Sequence, residues 1–280
     1  MSEFHSPIKV VALDLDGTIV NESLTISERT QKLLKHLITQ GDVKVVIATG
    51  RMFFSAVPFA QSLGVTEPLI TYQGAMIRNL DADYSLRYHN PIKLATAETL
   101  LKFLLEQKFD INLYVNDHLW TTHDNAHATF YARTSGIEPK KTNDLLSVMS
   151  DAPTKIMVID NHRVSELLVE LERQFAGQLS YCRSRSNFCE MIDVDSSKWN
   201  AIQHLLNIWH IKPEEVMAIG DQGNDLSMIK GAGIGVAMGN APDEVKAFAN
   251  YVTGPIEEDG VAEAIEQFVL GDMPIKSYSP

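Results

Sequence analysis

Lys9-Val10-Val11-Ala12-Leu13-Asp14-Leu15-Asp16-Gly17-Thr18 runs apolar and then acidic. An apolar run that ends in carboxylates at i and i+2, followed by glycine, predicts a buried strand delivering two acids to its C-terminal edge. Side chains two apart on a strand share a face, so Asp14 and Asp16 can serve one reaction centre as nucleophile and proton donor. The same residues also fit a strand running into an Asp-Gly turn, with aspartate and glycine present for backbone geometry. Taken alone, the stretch leaves both readings open.

Outward from it, residues 8 to 80 alternate as an open α/β sheet requires. Ser27 is placed to cap a helix over Glu28 to Ile38, whose Leu33, Leu34, Leu37 and Ile38 form a 3.6-period stripe, and Gly41 closes it. Val43 to Arg51 reads as a second strand and Pro68 to Ala75 as a third. Between about 82 and 190 the pattern changes. Strands are predicted at 112–115, 155–159 and 179–182, with helices at 94–107 and 164–175. The first pattern resumes with a helix over 197–209, strands at 215–221 and 234–238, and closing elements out to Leu270. The fold class is therefore α/β: a Rossmann-like parallel-sheet core, residues 1–84 plus 189–280, with a smaller α/β module inserted at 85–188. Charge agrees with that partition, since residues 85 to 190 carry a net −1 and the remainder −11.

Composition bounds the function. At 280 residues, 45% apolar and 21% charged, the chain has the make-up of an ordinary globular protein of one large domain or two moderate ones. No segment approaches the roughly 18 to 20 apolar residues that span a bilayer, and the first residues lack a basic region followed by an apolar one, so a cytoplasmic protein with no membrane partner is expected. A net charge of −12 argues against nucleic acid. Cys182 and Cys189 read as reduced thiols in such a compartment. Monomer and homodimer both remain open.

Three strand ends of the core carry reactive residue types: Asp14 with Asp16, Thr49, and Asp221 with Asn224 and Asp225. In open parallel sheets the ligand crevice lies at the carboxyl ends of the strands, where side chains distant in sequence converge. Each also has a plain structural reading, as a strand exit, turn residue or helix cap.

Asp14-Leu15-Asp16-Gly17-Thr18, Ala48-Thr49-Gly50-Arg51, Ser197-Lys198 opening a helix, and Gly220-Asp221-Gln222-Gly223-Asn224-Asp225 follow the order of the four motifs of the haloacid dehalogenase (HAD) superfamily. The chain resembles its Cof-type hydrolases, whose cap is inserted between the second and third motifs, over essentially its whole length. The resemblance implies a phosphatase acting on a small phosphate ester. Asp14 would attack phosphorus to give an aspartyl phosphate, and Asp16 would protonate the leaving oxygen and later activate water. Magnesium would be held by Asp14, Asp221 and the Asp16 backbone carbonyl, and Asp225 would hold a metal-bound water or orient Lys198. Thr49, Gly50, Arg51, Lys198 and Asn224 would bind phosphate and substrate. An acid at position 16 separates phosphatases and phosphomutases from transport ATPases, which have threonine, and from dehalogenases, which lack the acid. A sugar phosphomutase and a non-catalytic phosphometabolite-binding regulator are the alternatives. Two positions depart from the family pattern: Trp199 stands where glycine is usual, and Gln73 where asparagine is usual.

Weaker features compete. His118, His123 and His127 lie in one segment, with the latter two at i, i+4, a spacing that suits zinc on a helix, though no supporting ligand completes the set. Arg183 and Arg185 share a strand face and could grip a second anionic group. Tyr114, Trp120, Phe130 and Tyr131 read as the apolar side of the inserted module. The glycines at 231, 233 and 235 precede a strand instead of linking strand to helix, which excludes a dinucleotide loop.

Overall fold

The computed structural model describes residues 8–271 except 124–127, 130, 131, 134, 135 and 186, and for 184 and 185 the backbone alone. His127, Phe130 and Tyr131 thus lie outside the described residues. In chain order the strands are β1 (Val10–Leu13), β2 (Lys44–Ile47), β3 (Leu69–Thr71), β4 (Met76–Arg78), β5 (Leu86–His89), β6 (Asp110–Val115) and β7 (His118–Thr121). They continue with β8 (Lys140–Lys141), β9 (Lys155–Ile159), β10 (Leu179–Arg185), β11 (Phe188–Asp193), β12 (Val216–Gly220), β13 (Ile234–Ala237) and β14 (Tyr251–Val252). Of the described residues, 8–45 with 206–271 fall in one compact unit and 46–205 in another. No helix among them is long and apolar enough to cross a membrane.

The first unit is built on a sheet of order β14-β13-β12-β1-β2. Its β1–β12, β12–β13 and β13–β14 pairs are parallel, with Val10 opposite Val216 and Leu13 opposite Ile219. All four residues of β1 and all five of β12 are buried. A parallel strand covered on both faces demands such a continuous apolar run. The helix Glu28–Gln40 buries Leu33, Leu34 and Leu37. Its cap is the expected one: the Ser27 hydroxyl accepts from the Thr30 N–H at 3.2 Å and also donates to Asp259, and Gly41, at φ 77°, returns its N–H to the Leu37 carbonyl. Helix Leu226–Gly231 packs on β12 and β13.

The second unit holds a six-stranded sheet, β10-β11-β9-β6-β7-β8, antiparallel except at β7–β8. One face is covered by helices Leu94–Glu106 and Val164–Phe175 through Leu100, Leu104, Leu167 and Leu171 against Leu113, Ile156, Val158 and Met191. The opposite face carries Tyr114, Leu119, Met157, Ile159 and Phe188, which pack with Met52, Tyr72 and Met76. Alternation also separates the cysteines. Cys182 stands opposite Glu190, so Cys189, one residue along, projects from the other face, and both thiols are free. Burial, then the nearby Glu190 charge, pushes the Cys182 thiol up and the Cys189 thiol up to about 12, a direction that disfavours the thiolate.

The third expected strand is shorter than its apolar run. β3 stops at Thr71 because Tyr72, Gln73 and Gly74 are all left-handed, at φ 52°, 59° and 98°. The chain then reverses into β4, and β3-β4-β5 form a separate antiparallel sheet. Gly74 has a steric reason: a Cβ there would stand 2.0 Å from the Ser197 carbonyl oxygen.

Removing the Ser27 hydroxyl strips a helix cap and its link to Asp259 together. Ser27→Ala is expected to lower stability by about 1 kcal/mol, read as an earlier midpoint in urea unfolding followed by circular dichroism.

Candidate active site

Burial of β1 on both faces carries Asp14 to the sheet edge, where its N–H donates to the Ile219 carbonyl at 3.1 Å and its side chain is buried. The chain then folds back sharply. Thr18, Ile19 and Val20 all return N–H bonds to the Leu15 carbonyl, and Gly17 N–H reaches the Val20 carbonyl at 2.9 Å. Gly17 sits at φ 84°, a region that residues with side chains rarely adopt, and a Cβ there would lie 2.4 Å from Asp221 Oδ2. Asn240 holds the turn from the far side by donating Nδ2 to the Gly17 carbonyl at 2.9 Å.

The end of β12 supplies the second acidic cluster. Asp221 accepts from the Thr18 hydroxyl at 3.2 Å and from Gln222 Nε2 at 2.9 Å. Asp225 Oδ2 accepts the Asp221 and Gln222 N–H groups, each at 3.0 Å, which fixes its carboxylate under the strand end. Asp14, Asp221 and Asp225 are all buried, and one carboxylate oxygen of each lies within 4.8 Å of the others. The Asp16 carboxylate is not one of this group, and Asp16 itself is half-buried. Carboxylates gathered out of water repel one another, and a cation among them offsets that repulsion. An all-oxygen set of this kind suits a hard divalent ion. Thr18, Gln222 and Asn240, which hold the cluster, were not singled out from sequence. Thr18 and Gln222 sit inside the quoted motifs without a role assigned to them, and Asn240 lies outside those four motifs.

In the other unit, Thr49 leaves β2 buried; its N–H donates to the Ile70 carbonyl and its carbonyl accepts from the Gln73 N–H, both at 3.0 Å. Its hydroxyl accepts the Arg51 N–H at 3.2 Å. The Arg51 guanidinium lies over the Phe59 ring, 4.8 Å from its centroid. Lys198 opens the helix Lys198–Trp209, with the preceding Ser197 hydroxyl accepting the Asn200 N–H at 3.1 Å. The lysine is 1% exposed. A buried cation in the first turn works against the helix dipole, so its position is not explained by helix stability. Trp199 beside it is half-buried, as is Asn224. Gln73 is buried and turns its amide towards Glu190, 3.4 Å away.

Among the weaker features, His118 and His123 are exposed, and His123 pairs with Asp110 at 3.4 Å. Arg183 is exposed. Tyr114 is fully buried and Trp120 packs against the helical face of its sheet, the apolar role expected of both.

Comparison with known proteins bears on this geometry. The model of the haloacid dehalogenase-like hydrolase family matches residues 11–265. The 5-amino-6-(5-phospho-D-ribitylamino)uracil phosphatase YcsE of Bacillus subtilis is 32% identical over 273 residues, 94% of this chain and 96% of the relative. The pyridoxal phosphate phosphatase YbhA of Escherichia coli is 28% identical over 284 residues, 95% and 98% of the two chains. A crystal structure of a haloacid dehalogenase-like hydrolase from Bacteroides thetaiotaomicron superposes with a TM-score of 0.83 at 32% identity, covering 93% of this chain and 99% of that one. With the motif-bearing strand ends inside a match that runs nearly from end to end, the chain belongs to the haloacid dehalogenase-like hydrolases.

Proposed function

We propose that the protein is a magnesium-dependent phosphatase that hydrolyses small soluble phosphate monoesters in the cytoplasm, with residues 1–84 and 189–280 as catalytic core and 85–188 as the cap that selects the substrate. The observation that carries this reading is the buried trio Asp14, Asp221 and Asp225 at the edge of a parallel sheet. A phosphate ester is anionic, so a carboxylate nucleophile meets it productively only where charge is neutralised. The trio, with the Asp16 backbone carbonyl, would hold the magnesium ion, which supplies that neutralisation when bound. The Asp14 carboxylate forms a bond to phosphorus as the ester oxygen leaves, and Asp16 gives that oxygen a proton. Asp16 then takes a proton from water as the water attacks phosphorus and releases Asp14. Lys198, the Thr49 hydroxyl, Gly50 and Arg51 bind phosphoryl oxygens or the neighbouring part of the substrate, and Asn224 orients it. The names of YcsE and YbhA support a phosphorylated cofactor or cofactor precursor as the substrate class, alongside sugar phosphates.

Asp14→Asn is expected to cut phosphate release at least about a thousandfold, the scale of losing a nucleophile, in an assay across a panel of sugar and cofactor phosphates. Chelation should abolish turnover and magnesium should restore it; undiminished activity in either arm would reject the mechanism. A methyl at position 17 would push into Asp221, so Gly17→Ala should raise the magnesium concentration for half-activation about tenfold or more, in line with loss of one supporting contact at a metal site.

A further inference from the structure

Lys155 opens β9, just before the apolar run Ile156–Ile159, and is 1% exposed although its side chain is basic. Its ammonium donates to Glu190 Oε2 on β11 at 2.9 Å and to the Gly50 carbonyl at 3.0 Å. The rings of Tyr114 and Tyr72 flank it, with centroids 4.7 and 5.7 Å away. The ion pair could be closed by two strands of one sheet without any third partner. That the lysine also reaches a carbonyl 105 residues earlier in the chain is what calls for an explanation.

We infer that Lys155 is a positioning residue that aims the Thr49 hydroxyl at phosphate, an assignment that rests on the phosphate-binding role of Thr49 proposed above. The Gly50 carbonyl and the Arg51 N–H belong to one rigid peptide plane and point in opposite directions. A charged donor fixed on the carbonyl therefore fixes the N–H. That N–H donates to Thr49 Oγ1 at 3.2 Å. A threonine hydroxyl has one proton to give, so an oxygen already accepting from Arg51 presents its own proton to the next acceptor. The chain from ammonium to carbonyl, amide, hydroxyl and phosphoryl oxygen runs donor to acceptor throughout, the arrangement in which each bond polarises the next. Glu190 keeps the ammonium charged in a buried place, and its same oxygen accepts from Gln73 Nε2, whose own backbone N–H holds the Thr49 carbonyl. Gln73, longer than the asparagine usual in the family, thereby ties the loop to the pair from its other side.

The test replaces both charges together, Lys155→Met with Glu190→Gln, so that no lone buried charge unfolds the protein, in wild-type and Thr49→Val backgrounds. Inorganic phosphate is the probe, read as its inhibition constant, and hydrogen exchange of the Arg51 amide is read beside that of Met157 and Val158 on β9. In the wild-type background the double replacement should raise the phosphate inhibition constant about tenfold, the loss of one charge-assisted bond. It should speed Arg51 exchange while β9 keeps its rates. On Thr49→Val it should add no further loss of phosphate binding, because no hydroxyl remains to aim. An unchanged Arg51 amide, or penalties that multiply across the two backgrounds, would overturn the assignment. If phosphate does not inhibit the wild-type enzyme, the reading of Thr49 as a phosphate ligand fails instead, and the Arg51 amide alone decides whether Lys155 positions the loop.

Discussion

Mutual repulsion among Asp14, Asp221 and Asp225 is the constraint to which the first unit answers. Two unit charges within 4.8 Å repel by about 3 kcal/mol or more at an effective dielectric near 20. Hydrogen bonds from Thr18 and Gln222 to Asp221, and from two backbone N–H groups to Asp225, satisfy lone pairs of the cluster. A parallel sheet resolves the assembly problem by bringing the ends of β1 and β12 side by side in register. The β1–β12 register also explains why two motifs more than two hundred residues apart behave as one site.

The turn after β1 shows how narrowly the cluster is built. Gly17 is left-handed and pressed on the Asp221 carboxylate, and the turn carbonyl is held by Asn240. Ile256 N–H in turn donates to the Asn240 amide oxygen at 3.0 Å, so a loop near the end of the chain braces one near its start. Rigid support of this kind matters because a site for a hard ion works through fixed oxygen positions more than through strength of any one ligand.

Legibility in the sequence followed the apolar pattern. β1, β12 and the helix Val164–Phe175 could be read because burial on two faces, or a stripe on one, leaves a periodic trace. β11 left none: all six of its residues are buried, but Glu190 and Asp193 among them look like solvent-facing breaks. The left-handed turn at Tyr72 and Gln73 was equally hidden, since neither residue type advertises a positive φ. β4, β5, β7 and β8 are short and mix polar or charged residues with apolar ones, so no continuous apolar run marks them. At the site the residues on strand ends were legible because convergence there is a rule of the architecture. Lys155 was not, because its meaning depends on Glu190 and Gly50, partners that only pairing of distant segments brings to it.

The two sets of buried charge obey opposite logic, and the contrast separates scaffold from chemistry. Lys155 and Glu190 cancel within the protein, so their geometry is complete without a ligand and can serve as a fixed reference for a loop. The three aspartates carry like charge, and positive charge nearby lowers the cost of holding them together. Burial of like charge is costly enough that it persists where function or nearby positive charge offsets it. A protein with a net charge of −12 thus gathers three of its own carboxylates out of water, an all-oxygen set that suits a hard divalent ion.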